Sequence, residues 1–180
     1  MRNDAPHAVL ASQAGSRRSR ARAFEIKRGK RMKRILVITG ALLLSVGAVI
    51  AQQDVANQTQ TTMKATGRAL GAVLTPMVKG EKPYDQAAVD TALGQLEDTA
   101  KKLPTMFPES IKGVKIEGDY SSSPKIWEDK AGFAAKIDGF AKVVTEAKAK
   151  IKDLDSLKAN VPAIGKECGG CHETFRLKNS

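Results

Sequence analysis

Apolar side chains recur at intervals of three and four residues through the last two thirds of the chain, a spacing that predicts amphipathic helices. Four stretches carry this pattern, at approximately residues 53–79, 85–103, 124–151 and 156–177. Gly80 follows the first stretch, Pro104 follows the second and Pro124 opens the third, in the positions where helices end and begin. Pro76 and Pro162 lie inside predicted helices, and we expect them to bend the backbone there.

Two short connections and one long connection join the four predicted helices. The long one, residues 104–123, contains Pro108, Gly113, Gly118 and three consecutive serines, and it is predicted to be a loop. No strand-like alternation of useful length appears anywhere, and aromatic residues make up only 4% of the chain. Because amphipathic helices must bury their apolar faces against one another, the sequence predicts an all-α fold, an antiparallel (up-down-up-down) four-helix bundle.

Residues 1–51 form a basic leader whose composition differs from that of the rest. Within it, residues 32–51 have a basic start, an apolar middle and a small-residue end with Val49 and Ala51, which is the pattern of a signal peptide. The uncharged run from Ile35 to Ala51 is shorter than the ~20 apolar residues that a membrane span needs. We therefore predict cleavage after Ala51, with an uncleaved anchor as the alternative.

Cleavage after Ala51 would leave a mature chain of residues 52–180, which we expect to be a single domain exported to the periplasm. Residues 1–31 have no apolar periodicity and are not expected to belong to the fold. Translation that starts at Met32 would give the same mature protein.

The distribution of charge argues against nucleic-acid binding. The whole chain has a formal net charge of +11, but residues 1–51 hold 11 Lys/Arg against 2 Asp/Glu. Residues 52–180 hold 19 Lys/Arg against 17 Asp/Glu, so the body is nearly neutral. A nearly neutral surface with interspersed charges is not expected to capture a polyanion.

The chemistry of the chain is concentrated in the segment Cys168-Gly-Gly-Cys171-His172. Two cysteines in this spacing, followed directly by a histidine, form the attachment motif of c-type haem. The two thiols add to the two vinyl groups of haem as thioethers, and the adjacent imidazole reaches the iron. On a helix these three side chains project from one face toward one flat ligand.

Three other readings of the cysteine pair have less support. A thioredoxin-like redox pair is expected beside a βαβ pattern, which the sequence lacks. A zinc site needs four ligands, whereas residues 52–180 contain two cysteines and one histidine. Export would permit a structural disulfide, but a disulfide has no need of His172.

The segment Cys168-Gly-Gly-Cys171-His172-Glu-Thr-Phe175-Arg176, at the end of a fourth helix and behind a leader, resembles the class II cytochromes c. Further likenesses to this family are Met63-Lys64, Val78-Lys79-Gly80-Glu81, Pro83-Tyr84-Asp85 and Ile126-Trp127, so that the resemblance covers nearly all of residues 52–180. It implies one covalent haem c, with thioethers at Cys168 and Cys171 and with His172 as the proximal axial ligand of the iron. It also implies that Phe175 packs on the porphyrin and that Arg176 pairs with a haem propionate.

The class II cytochromes c have two branches that differ at the sixth ligand position of the iron. In the high-spin cytochromes c′ the iron has one protein ligand, and an Arg typically lies four residues before the distal residue; Thr59 occupies that place here. The chain is more similar to the low-spin cytochrome c-556 branch, which implies that Met63 is the distal axial ligand. Without the resemblance, Met106 remains a rival because the second helix returns to the same end of the bundle.

The resemblance implies an electron carrier and not an enzyme. Such a protein would exchange single electrons with redox proteins of the periplasm or of a membrane respiratory or photosynthetic chain. The alternative is a cytochrome c′-like protein that binds nitric oxide or carbon monoxide at an open sixth position. Homodimers occur among the class II cytochromes c, and a homodimer is compatible with this sequence.

Overall fold

The computed structural model describes residues 49–179, so nearly all of the predicted leader lies outside the described residues. Helix α1 covers residues 49–68 and continues through Ala69–Leu74 and Thr75–Val78, α2 is Gln86–Lys102, α3 is Lys130–Lys150, and α4 is Leu154–Phe175. Short helical turns lie at Leu103–Thr105, Glu109–Ile111 and Lys125–Glu128, and the strands are β1, Tyr120–Ser122, and β2, Arg176–Lys178. None of the helices in this described part of the chain is both long and apolar enough to cross a bilayer.

The four long helices form the predicted bundle. Each helix packs against the next one in the chain, and α4 returns against α1 to close the ring. The fully buried side chains come from all four helices and include Leu74, Leu93, Leu96, Val144, Leu157 and Ile164. The short α1–α2 and α3–α4 connections make the helices that they join run in opposite directions, and the all-α, antiparallel four-helix bundle is confirmed.

Helix α1 accommodates Pro76 by widening. The preceding segment Ala69–Leu74 is π-helical, with N–H donors that reach back five residues instead of four. Pro76 has no N–H to donate to Ala72, and its ring would clash with that carbonyl in a regular helix. The Lys82 Nζ donates to the Ala72 carbonyl oxygen at 3.0 Å instead. The wider turn and the Lys82 hydrogen bond thus accommodate Pro76 within the helix.

The predicted third helix is divided at Asp129, which has φ −117° and ψ 67°. Its carboxylate accepts a hydrogen bond from the Gly132 N–H at 2.8 Å and so caps α3, while Lys125–Glu128 forms a separate turn. Asp129 is a residue type that often caps helices, but the three- and four-residue spacing of apolar side chains continues across it without interruption. Periodicity alone therefore predicted one continuous helix.

The two strands were not predicted. β1 and β2 pair in the antiparallel direction with Ser121 opposite Leu177. Three residues are too few to show alternation, and each strand exists only because the other lies beside it. The prediction that the fourth helix continues to Leu177 is consequently wrong by two residues, since α4 ends at Phe175.

Candidate functional site

A cavity of about 370 Å³ lies where α1, α4 and the long connection between α2 and α3 meet. Its volume falls in the range of about 300–1,000 Å³ found for small-molecule and cofactor sites. The helices contribute Thr59, Gln60, Met63, Lys64, Gly67, Cys171, His172 and Phe175 to its walls. A second cavity of about 490 Å³ lies against Phe107, Ile126 and Phe133, and no cysteine, histidine or methionine lines it.

Helix α4 brings two members of the haem motif to the cavity wall. Cys171 and His172 are half-buried and line it. Cys168 lies one turn earlier on the same helix, where it is half-buried against the main core and is not one of the lining residues. The structure therefore places the three predicted motif residues on one helix and two of them in the cavity.

The environment of the cysteines does not suit thiol redox chemistry. Burial and the neighbouring Cys171 raise the pKa of the Cys168 thiol to about 11, and burial also raises the pKa of Cys171. Reactive redox thiols have depressed pKa values, because the thiolate is the nucleophile. This pair therefore does not resemble a thioredoxin-like site.

Burial and, secondarily, the charge of Arg176 lower the pKa of His172 below its usual value. The imidazole is therefore neutral over a wider pH range than that of an exposed histidine. Neutral imidazole is the form that can bind a metal through nitrogen. The electrostatics of the cavity thus suit His172 to axial ligation.

The three candidate methionines occupy different places. Met63 is half-buried on α1 and lines the same cavity as His172. Met106 packs against the main core and is not among the residues that line the cavity; its backbone oxygen lies 2.9 Å from the Thr59 hydroxyl. Met77 is buried in the core with 4% of its surface exposed. Of these three, Met63 alone shares the cavity with His172.

Aromatic side chains build the inner wall. Phe175 is buried and meets Phe133 edge to face with ring centroids 5.1 Å apart, and Phe133 meets Phe107 in the same manner at 5.3 Å. The Trp127 Nε1 donates to the Phe107 carbonyl oxygen at 3.1 Å; Trp127 is buried and lines the second cavity, not this one. Phe133 lies within the predicted helix at residues 124–151, but the apolar spacing of a helix does not show which of its apolar residues border a cavity.

The outer wall comes from the long connection, whose role sequence reasoning missed. Val114, Ile116, Gly118, Asp119, Tyr120, Ser121 and Ser122 all line the cavity. Arg176 also lines it, with its guanidinium carbon 4.0 Å from the centroid of the Tyr120 ring. The serines and glycines of this segment predict a loop, but nothing in its composition indicates what the loop covers.

A family model described as Cytochrome C′ matches residues 54–176. The chain belongs to the cytochrome c′ family. Cytochrome c-556 of Rhodopseudomonas palustris is 55% identical to it over 148 residues, covering 82% of this chain and 99% of that protein. Cytochrome c′ of the same organism is 41% identical over 147 residues, covering 82% and 98%.

Structural comparison agrees with the family assignment. An NMR-validated structural model of oxidized R. palustris cytochrome c556 matches this cytochrome c′ family member with a TM-score of 0.63 and 56% sequence identity. The match covers 71% of this chain and 99% of that one.

Haem c is the cofactor of this family, and the cavity suits it chemically. One wall offers a thiol and an imidazole, and another offers the Met63 thioether. The remaining walls are largely apolar and aromatic, which suits the flat faces of a porphyrin. Arg176 adds a positive charge of the kind that pairs with a carboxylate group such as those of haem.

Proposed function

We propose that this member of the cytochrome c′ family carries single electrons in the periplasm through a haem iron held by His172 and Met63. The observation that supports the proposal is that His172 of α4 and Met63 of α1 line one cavity, whereas Met106 does not. In this proposal Cys168 and Cys171 hold the haem as thioethers. Haem c, when bound, supplies an iron that alternates between the ferrous and ferric states.

The protein would hold the same two side chains, His172 and Met63, on the iron in its ferrous and its ferric state. His172 and Met63 project from helices whose positions are set by the buried core, so neither ligand needs to move when an electron arrives. The soft thioether of Met63 would favour the ferrous state and raise the reduction potential. Phe175 and Phe133 would exclude water from the porphyrin, and Arg176 would pair with a propionate.

The proposed partners are redox proteins of the periplasm or of a membrane electron-transfer chain. Residues 52–180 carry 19 Lys/Arg and 17 Asp/Glu, so the body has no strong charge of one sign. Such a surface suits brief encounters with a partner protein.

Binding of nitric oxide or carbon monoxide is the second candidate function, favoured by the 41% identity to a cytochrome c′. In this alternative Met63 would line the cavity without binding iron. Thr59, at the place where the resemblance leads one to expect an Arg, is buried and has its hydroxyl within 3.0 Å of the Val55 and Met106 carbonyl oxygens.

Absorption spectra of the purified ferric and ferrous holoprotein distinguish the two functions. We expect low-spin spectra in both states, because a histidine and a methionine would occupy both axial positions. Carbon monoxide should then bind the ferrous protein slowly, since the sixth position must first open. A high-spin spectrum with immediate carbon monoxide binding would replace the electron carrier with the gas-binding alternative.

We also expect the mature protein to comprise residues 52–180 with one covalent haem. Val49 and Ile50 are 63% and 57% exposed, and Ala56 is the first buried residue in the described chain, so the three described residues that cleavage after Ala51 would remove are not buried. Mass spectrometry of periplasmic protein should give this mass after denaturation. A mass that includes residues 32–51, or haem that acid acetone extracts, would contradict the prediction.

A further inference from the structure

Residues 114–122, called here the flap, form the outer wall of the cavity and contribute little to the core. Buried residues border the flap on both sides, Ile111 with 4% and Ser123 with 3% exposure. Gly113 and Gly118 adopt positive φ angles of 76° and 120°, which favour glycine. Segments with few buried groups open at a lower free-energy cost than the core. The flap can therefore move while the bundle stays folded.

The chain beyond α4 holds the flap on one side. This segment, residues 176–179, is called here the tail; within it, β2 pairs with β1 of the flap. The Asn179 side-chain Nδ2 donates to the Gly118 carbonyl oxygen at 2.6 Å, and the Asn179 backbone N–H donates to the Asp119 carbonyl oxygen at 2.8 Å. The Arg176 guanidinium stacks on Tyr120. Each of the four residues of the tail thus contacts the flap.

Helix α1 holds the flap on the other side. The Gln60 Nε2 donates to the Glu117 carbonyl oxygen at 2.7 Å, one helical turn before Met63. A Cβ at Gly118 would lie 3.1 Å from that same Nε2, so the flap backbone and Gln60 are already in close contact. The Gln53 amide adds a longer bond of 3.3 Å to the Lys115 carbonyl oxygen. The flap is consequently tied across the cavity, from α1 to the tail.

We propose that the tail is a latch that determines which ligands reach the iron. By holding the flap closed, Asn179 and the β1–β2 pairing keep small exogenous ligands such as carbon monoxide out of the cavity, independently of the axial methionine. The identity of the cavity's occupant rests on the proposed function, whereas the latch rests on contacts within the chain. Loss of one such hydrogen bond should increase the open population roughly 2- to 10-fold.

The test uses the ferrous holoprotein with Met63→Ala, so that the methionine cannot mask the effect of the flap. Into it we would introduce Asn179→Ala or a truncation after Arg176; the described residues that the truncation removes, 177–179, lie outside the core. Asn160→Ala is the matched control, because it removes an equivalent bond of 2.8 Å from an asparagine amide to the Ser156 carbonyl, within α4. The measurements are amide hydrogen exchange of residues 114–122 and the rate of carbon monoxide association.

We expect Asn179→Ala to raise both the exchange and the association rate roughly 2- to 10-fold, the truncation to raise them further, and Asn160→Ala to leave them unchanged. Unchanged exchange in both tail variants would disprove the latch. Faster exchange with an unchanged association rate would disprove its role in ligand access. A low-spin spectrum that survives Met63→Ala would reject the proposed ligation alone, since hydrogen exchange reports the latch without reference to iron. Should the truncated chain fail to show helical circular dichroism, Asn179→Ala decides the question.

Discussion

The Cys168→Ala/Cys171→Ala double variant is expected to carry no covalent haem and to accumulate poorly. The haem would otherwise fill a cavity of about 370 Å³ between α1 and α4. A group that packs in the folded state alone stabilises that state, and the double variant loses this contribution. Haem staining of a denaturing gel and the yield of folded protein measure the two effects.

Each single cysteine variant should retain one thioether, and His172→Ala should leave the iron without its proximal ligand. Gly165→Ala is a suitable control, because it lies on the same helix and a new Cβ there meets no atom within 4 Å. The control should bind haem as the wild type does. A double cysteine variant that folds normally and keeps full redox activity without haem would disprove the site.

Met63→Ala is expected to convert the iron from six-coordinate low-spin to five-coordinate high-spin. The substitution removes the thioether, and the alanine methyl group that replaces it cannot bind iron, so the sixth position loses the ligand that Met63 would supply. Carbon monoxide should bind readily, and the reduction potential should fall because the ligand that favours the ferrous state is gone. Absorption spectroscopy and redox titration measure these changes.

The other two methionines supply the comparison. Met77→Ala should cost about 2–5 kcal/mol of stability, because Met77 is buried in the core, and it should leave the low-spin spectrum unchanged. Met106→Ala should also preserve the spectrum, since Met106 packs outside the cavity. If Met106→Ala abolishes the low-spin spectrum while Met63→Ala preserves it, the axial assignment is wrong although the electron carrier remains.

Local patterns in the sequence determined the helices and the chemistry of the haem motif. The three- and four-residue spacing of apolar side chains in each helix lies within one continuous segment of the chain. The capping of α2 is also local, because Asp85 accepts a hydrogen bond from the Ala88 N–H at 3.2 Å. Cys171 and His172 are neighbours in the chain, so their common helix brings both to one site whatever the rest of the fold does. The resemblance of this motif to the class II cytochromes c was confirmed by the family match.

Only the tertiary structure decided how the cavity is enclosed. Met63 and Met106 both follow from the sequence as candidates, and which of them borders the cavity depends on how α1 packs against α4. The pairing of Tyr120–Ser122 with Arg176–Lys178 joins segments more than fifty residues apart, and three residues carry no period of their own. The flap and the tail were invisible in the sequence for the same physical reason: their structure is supplied by contacts with each other, not by their local composition.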